Sequence, residues 1–130
     1  MQRILIIDDD APTRVSLQAR LEKEDYEVLT AEDGSTGLSL AERENPSLIV
    51  LDLGMPDIDG VDVLDRLRQS VVTWDVPVVV LTGWPSENRR RNLSTLGVAS
   101  LLTKPLSPKS LVAEIARVLG FAETPGQPIW

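Results

Sequence analysis

Five short runs rich in Val, Ile and Leu recur along the chain with helix-like segments between them: RILII (3–7), EVLTA (27–31), SLIVL (47–51), VPVVVL (76–81) and VASLL (98–102). No other feature of the sequence limits the fold as much. Runs without polar alternation suit strands covered on both faces, the condition of a parallel sheet. Between them, 60–71 carries Val63, Leu64, Leu67 and Val71, and 108–119 carries Leu111, Val112, Ile115, Val118 and Leu119, at the spacing of an amphipathic helix. Pro12 suits a first helical turn, Ser107-Pro108 reads as an N-cap followed by proline, and Gly120 stands where a C-terminal cap belongs. A helix near 86–96 is marked only by Leu93 and Leu96, with Arg89, Arg90 and Arg91 in its middle. The order β-α, five times over, predicts an α/β fold: a five-stranded parallel sheet, doubly wound, with helices on both faces and right-handed crossovers.

Length and composition narrow what such a fold can do. With 130 residues, 42% of them hydrophobic, one domain over 1–121 is expected. Residues 122–130, AETPGQPIW, read as a tail or the start of a linker. No uninterrupted apolar stretch is long enough for a membrane span, and MQRILIIDDD is too acidic for a signal peptide, so a cytoplasmic setting is expected. The chain has no Cys and no His, which removes disulfides, thiolate metal sites, imidazole ligands and the commonest general base. Chemistry must rest on carboxylates, hydroxyls, lysine or the backbone. Residues 1–65 hold 16 acidic and 5 basic residues (5 − 16 = −11), and 66–130 hold 4 and 8 (8 − 4 = +4). Direct nucleic-acid binding needs a basic footprint and is not expected of this domain; a cation is the more natural ligand of its first half.

Ligands of a doubly wound sheet bind at the carboxyl ends of its strands. In this sequence those ends are Asp8-Asp9-Asp10, Ala31-Glu32-Asp33, Asp52, Thr82-Gly83 and Thr103-Lys104-Pro105. Asp8, Asp9 and Asp52 gathered at one rim repel one another, and a hard divalent cation such as Mg²⁺ between them would relieve that repulsion. Lys104 adds a positive charge, Thr82 a hydroxyl donor, and Gly83 an N–H free of side-chain crowding. A carboxylate flanked by a metal, an ammonium and two donors is suited to accept a phosphoryl group, with Asp52 as nucleophile.

These stretches, LIIDDD, LIVLDLGMPDIDG, VVVLTG and LLTKP, lie in order at four expected strand ends, and over residues 2–120 the chain resembles a response regulator receiver domain of two-component signalling. The resemblance implies a flavodoxin-like strand order 2-1-3-4-5. It implies that Asp52 is phosphorylated from a phosphohistidine on a histidine kinase or phosphotransfer protein. Asp9 and Asp52 would bind Mg²⁺ directly, with the Gly54 carbonyl as a further ligand and Asp8 acting through water. Thr82 would hydrogen-bond the phosphoryl group, Lys104 would pair with it, and the Lys104-Pro105 bond would be cis. A downstream effector or a second copy would be met through the face of helix 4, strand 5 and helix 5, where the arginines at 89–91 fall. Three positions depart from the usual pattern. Leu101 replaces an aromatic residue three before the lysine, and Gly54 and Trp84 stand two after Asp52 and Thr82, where access of water to the phosphoryl group is commonly modulated.

Each feature also has a plain explanation. Asp10 is expected to cap the first helix, an aspartate at the end of an apolar run can open an Asx turn, and a lysine before proline is usually solvated. Trp74 is expected to pack beside the fourth strand. Two other functions fit part of the pattern: an Mg²⁺-dependent aspartyl-phosphate phosphohydrolase of the haloacid dehalogenase type, and a pseudo-receiver that binds partners without phosphorylation. The former would carry a second Asp where this chain has Gly54, and the latter need not keep the phosphorylation residues.

Overall fold

The computed structural model describes residues 1–54, 58–83, 91 and 93–120. Its elements run β1 (Arg3–Ile7), α1 (Ala11–Lys23), β2 (Glu27–Ala31), α2 (Gly34–Glu44), β3 (Leu48–Asp52), α3 (Gly60–Gln69), β4 (Val78–Thr82), β5 (Ser100–Thr103) and α4 (Pro108–Leu119). The label α4 therefore denotes the fifth helix expected from the sequence. Of the expected helix near 86–96, residues 91 and 93–95 are described as helical. Trp84, Arg89, Arg90 and the tail 122–130 lie outside the described residues.

All strand pairs are parallel, in the order β2-β1-β3-β4-β5. Successive side chains of a strand face opposite layers, and the core divides accordingly. Leu5, Ile7, Ile49, Leu51, Val78 and Val80 pack with Ala41, Val63, Leu64, Leu67 and Leu93 on one side. Ile4, Ile6, Leu48, Val50, Val79 and Leu81 pack with Leu17, Leu21, Leu111 and Ile115 on the other. Full burial of such a side chain stabilises by about 1.5–3 kcal/mol, which is why β3 and β4, buried throughout, tolerate so little polarity. The edge strands β2 and β5 are only partly buried and carry Glu27, Thr30, Ser100 and Thr103.

The caps anticipated from sequence are present. Asp10 accepts from Thr13 N at 3.1 Å, Ser107 Oγ accepts from Ser110 N at 3.1 Å, and Gly120 ends α4 with φ 81°, a conformation that disfavours any side chain.

Asp52 and Thr82 are the last residues of β3 and β4, at the strand ends expected from the sequence and one residue beyond the apolar runs. Three expectations need correction. At the other end β4 begins only after Pro77, which has no N–H for a ladder and instead accepts from Ile49 N. Val71 is not on the buried stripe of α3: the helix stops at Gln69, Ser70 turns extended (φ −87°, ψ 135°), and Val71 is 89% exposed. Trp74 likewise does not pack into the core beside β4. It is 59% exposed, because the turn is held instead by Thr73, whose buried hydroxyl donates to Leu67 O, and by Trp74 N donating to Ser70 O.

Candidate functional site

The strand order sets a row of side chains along one rim. Asp8 follows β1, Asp52 ends the adjacent β3, Thr82 ends the next strand, and Lys104 follows β5. Register makes the row tight. Asp52 pairs with Leu81 and Thr82 with Thr103, and Lys104 N continues the ladder by donating to Thr82 O at 2.8 Å. The lysine side chain then crosses the end of β4 to reach the carboxylates. Its Nζ lies 3.1 Å from Asp52 Oδ2 and 3.5 Å from Asp8 Oδ2. The ammonium thus sits among the acids. The Lys104-Pro105 peptide bond is cis, as the resemblance implied.

Asp8, Asp9 and Asp52 each present a carboxylate oxygen within 4.8 Å of the others. Asp8 and Asp52 are buried and Asp9 is exposed. Two carboxylates out of water so close together are costly unless positive charge or hydrogen bonds compensate. Asp8 Oδ1 accepts from Asp10 N at 2.9 Å and Asp52 Oδ1 from Gly54 N at 3.1 Å. Asp8 Oδ2 is buried without a hydrogen-bond partner, at ion-pair distance from the lysine. Burial, reinforced by the neighbouring Asp52 charge and only partly offset by the Asp10 amide and Lys104, pushes the Asp8 carboxyl up to about 6. Burial of Lys104 favours its neutral form, but its bonds and attraction to Asp52 and Asp8 outweigh this, so its pKa is raised and it stays charged.

The donor set suits a hard divalent cation: oxygen ligands only, two or three carboxylates, and one buried oxygen still lacking a partner. Asp8, Asp9 and Asp52 could therefore hold a metal. Thr82 is buried at 4% exposure beside them. Gly83 is exposed, and a Cβ there would meet nothing within 4 Å among the described residues, so packing does not demand glycine. Gly60 differs. At the start of α3, a Cβ would lie 2.5 Å from Leu53 Cα and 3.2 Å from Asp52 O, so the helix can sit this close to the acidic strand end only without a side chain.

Sequence reading did not single out Arg14. It lies in α1, and its Nη1 donates to the Asp8 carbonyl at 2.8 Å. An arginine in the first turn of a helix, where the dipole disfavours cations, is the signal that could have found it. Leu101 is partly buried, opposite Val80, against the core.

A family model described as response regulator receiver domain matches residues 4–116. A probable transcriptional regulator ycf27 of Porphyridium aerugineum is 42% identical over 118 residues, 91% of this chain and 48% of its own length. The alkaline phosphatase synthesis transcriptional regulatory protein PhoP of Bacillus subtilis is 37% identical over 122 residues, 94% of this chain and 50% of its own length. The chain spans about half the length of these curated relatives. Among solved structures, the CheY-like receiver domain protein of Methanospirillum hungatei superposes with a TM-score of 0.88 at 29% identity, covering 93% of this chain and 95% of its own. The chemotaxis protein CheY4 of Vibrio cholerae gives 0.86 at 28% identity, covering 91% and 98%.

Proposed function

This chain belongs to the response regulator receiver domains of two-component signalling, and from that premise we propose that it is a switch phosphorylated on Asp52 by a partner histidine kinase or phosphotransfer protein. A carboxylate oxygen of Asp52 attacks the phosphorus of a phosphohistidine. The new O–P bond makes an acyl phosphate as the P–N bond breaks and its electron pair leaves with the imidazole. The donor ring comes from the partner, consistent with a chain that contains no histidine.

Each residue along the rim has a task in that transfer. Lys104, 3.1 Å from Asp52, keeps its charge and turns from the carboxylate to the incoming phosphoryl oxygens. Thr82, buried one strand away, donates its hydroxyl to the same group. Asp9 and Asp52, with the Gly54 carbonyl, would hold Mg²⁺, and Asp8 would assist through water. When bound, the cation would supply positive charge to offset that of the phosphoryl group and carboxylate. The changed charge at the Asp52 rim is felt through Thr82 at the face made by the helical residues 91 and 93–95, β5 and α4, where an effector or a second copy docks. Relatives named as transcriptional regulators support gene control as the output of a protein that contains this domain.

The observation that carries this reading is the convergence of three carboxylates within 4.8 Å with a lysine ammonium among them. Incubation with acetyl phosphate and Mg²⁺ tests it. A switch accumulates an acid-stable, base-labile phosphoryl group and leaves phosphomonoesters untouched. Steady turnover of a phosphomonoester would favour the phosphohydrolase, and absence of any label the pseudo-receiver.

A further inference from the structure

A cation in the first turn of a helix opposes the helix dipole, and acidic residues are the usual choice there. The first turn of α1 has no acidic residue and carries Arg14. Side chains on a helix lean toward its N-terminus, and this one reaches back over the turn to the backbone carbonyl of Asp8 at 2.8 Å. Asp8 is fully buried at the point where β1 ends. Its N–H is taken by Ala31 O at 3.1 Å, its Oδ1 by Asp10 N at 2.9 Å, and Asp10 is itself held as the cap of α1 by Thr13 N at 3.1 Å. The backbone and cap thus fix Asp8 at two points, and the guanidinium supplies a third. With all three in place, the remaining Asp8 oxygen has one direction open, toward Lys104 and Asp52.

We propose that Arg14 is a positioning residue for the acidic site. By holding the Asp8 carbonyl at the exit of β1, it sets the direction of the Asp8 and Asp9 carboxylates and so the affinity of the site for a divalent cation. This rests on the cation-binding reading above. It touches neither the cation nor the phosphoryl group; it acts through the main chain, as outer partners of metal ligands do.

Simple electrostatics makes the opposite forecast, which gives the test its sign. Removing a positive charge near a cation site strengthens cation binding, whereas removing a positioning residue weakens it. Calorimetric titration of the full chain with MgCl₂ at neutral pH should give a dissociation constant about tenfold higher for Arg14→Met than for the unsubstituted chain. Arg14→Lys, which keeps the charge and one donor, should fall between. The unfolding midpoint serves as the check that both variants fold. In metal-free protein, the Asp10 amide should exchange its hydrogen faster in Arg14→Met, because the loop that carries it is no longer tied. An Mg²⁺ affinity that is unchanged or higher in Arg14→Met overturns the proposal. If the unsubstituted chain binds Mg²⁺ no better than Asp9→Asn, the cation-binding reading itself fails. The Asp10 exchange rate, measured without metal, still decides the positioning role, and an unchanged rate overturns it.

Discussion

Asp8 makes the conflict between folding and function measurable. Its carboxyl is pushed up to about 6 by burial and the nearby Asp52, against an unfolded value of 3.8. The folded chain therefore holds the extra proton between pH about 4 and 6, and metal-free protein loses stability as pH rises through that window. Asp8→Asn removes the charge while its amide oxygen can still accept from Asp10 N. Thermal unfolding at neutral pH without metal should find the variant more stable by on the order of 1–3 kcal/mol, with the gain vanishing below pH 4. The same variant should bind Mg²⁺ less well. Lys104 is the converse case. Lys104→Met leaves two buried carboxylates without their cation and should lower stability at neutral pH, with added Mg²⁺ restoring part of the loss. Phosphorylation by acetyl phosphate should remain slow even at saturating Mg²⁺, because the charge opposite the phosphoryl oxygens is gone.

At the scale of elements, the close seat of α3 on the acidic strand end depends on Gly60. A Cβ there would meet backbone at 2.5 Å, so Gly60→Ala must push the helix start away from Leu53 and Asp52. Overpacking of this kind costs about 1–3 kcal/mol, readable as a shift in the urea midpoint, and should slow acetyl phosphate labelling as well. The elements were legible where local chemistry dictates them. The five apolar runs became the five strands, and the bounds of α4 follow from Ser107, Pro108 and Gly120. They were less legible where non-local bonds decide. The expected helix over 60–71 ends at Gln69 because a buried Thr73 hydroxyl captures Leu67 O and turns the chain, a bond that apolar spacing does not encode. The same turn leaves Val71 and Trp74 outside the core. Arg68 illustrates the same limit: its guanidinium donates to the carbonyls of Leu96 and Val76, each at 2.9 Å, tying two loops that are distant in sequence. Of the site, Asp8, Asp9, Asp52, Thr82 and Lys104 could be read from their places at strand ends, because a parallel sheet brings all such ends to one rim. Arg14 stands at no strand end; only its place in the first turn of α1 marks it, and its partner is a backbone carbonyl.

For the molecule as a whole, a metal held by Asp8, Asp9 and Asp52 would compete with the proton for the same rim. Mg²⁺ held by the folded rim, and not by the dispersed carboxylates of the unfolded chain, should raise the unfolding midpoint by an amount that grows with the logarithm of its concentration. Cation binding requires deprotonated ligands, so that rise should shrink as pH is lowered through about 6, where Asp8 takes up its proton. The uneven charge of the chain, −11 over 1–65 and +4 over 66–130, concentrates the cation-seeking chemistry in the first half. The face proposed for contact with a partner, made by the helical residues 91 and 93–95, β5 and α4, lies in the second half. The central claim is that the crowded carboxylates exist to make Asp52 a phosphoryl acceptor, and borohydride trapping reads it out at a single residue. After reaction with acetyl phosphate and Mg²⁺, reduction of the acyl phosphate should convert Asp52, and no other aspartate, to homoserine, with no conversion when Mg²⁺ is withheld. Homoserine at another position, or at Asp52 regardless of Mg²⁺, would contradict the account.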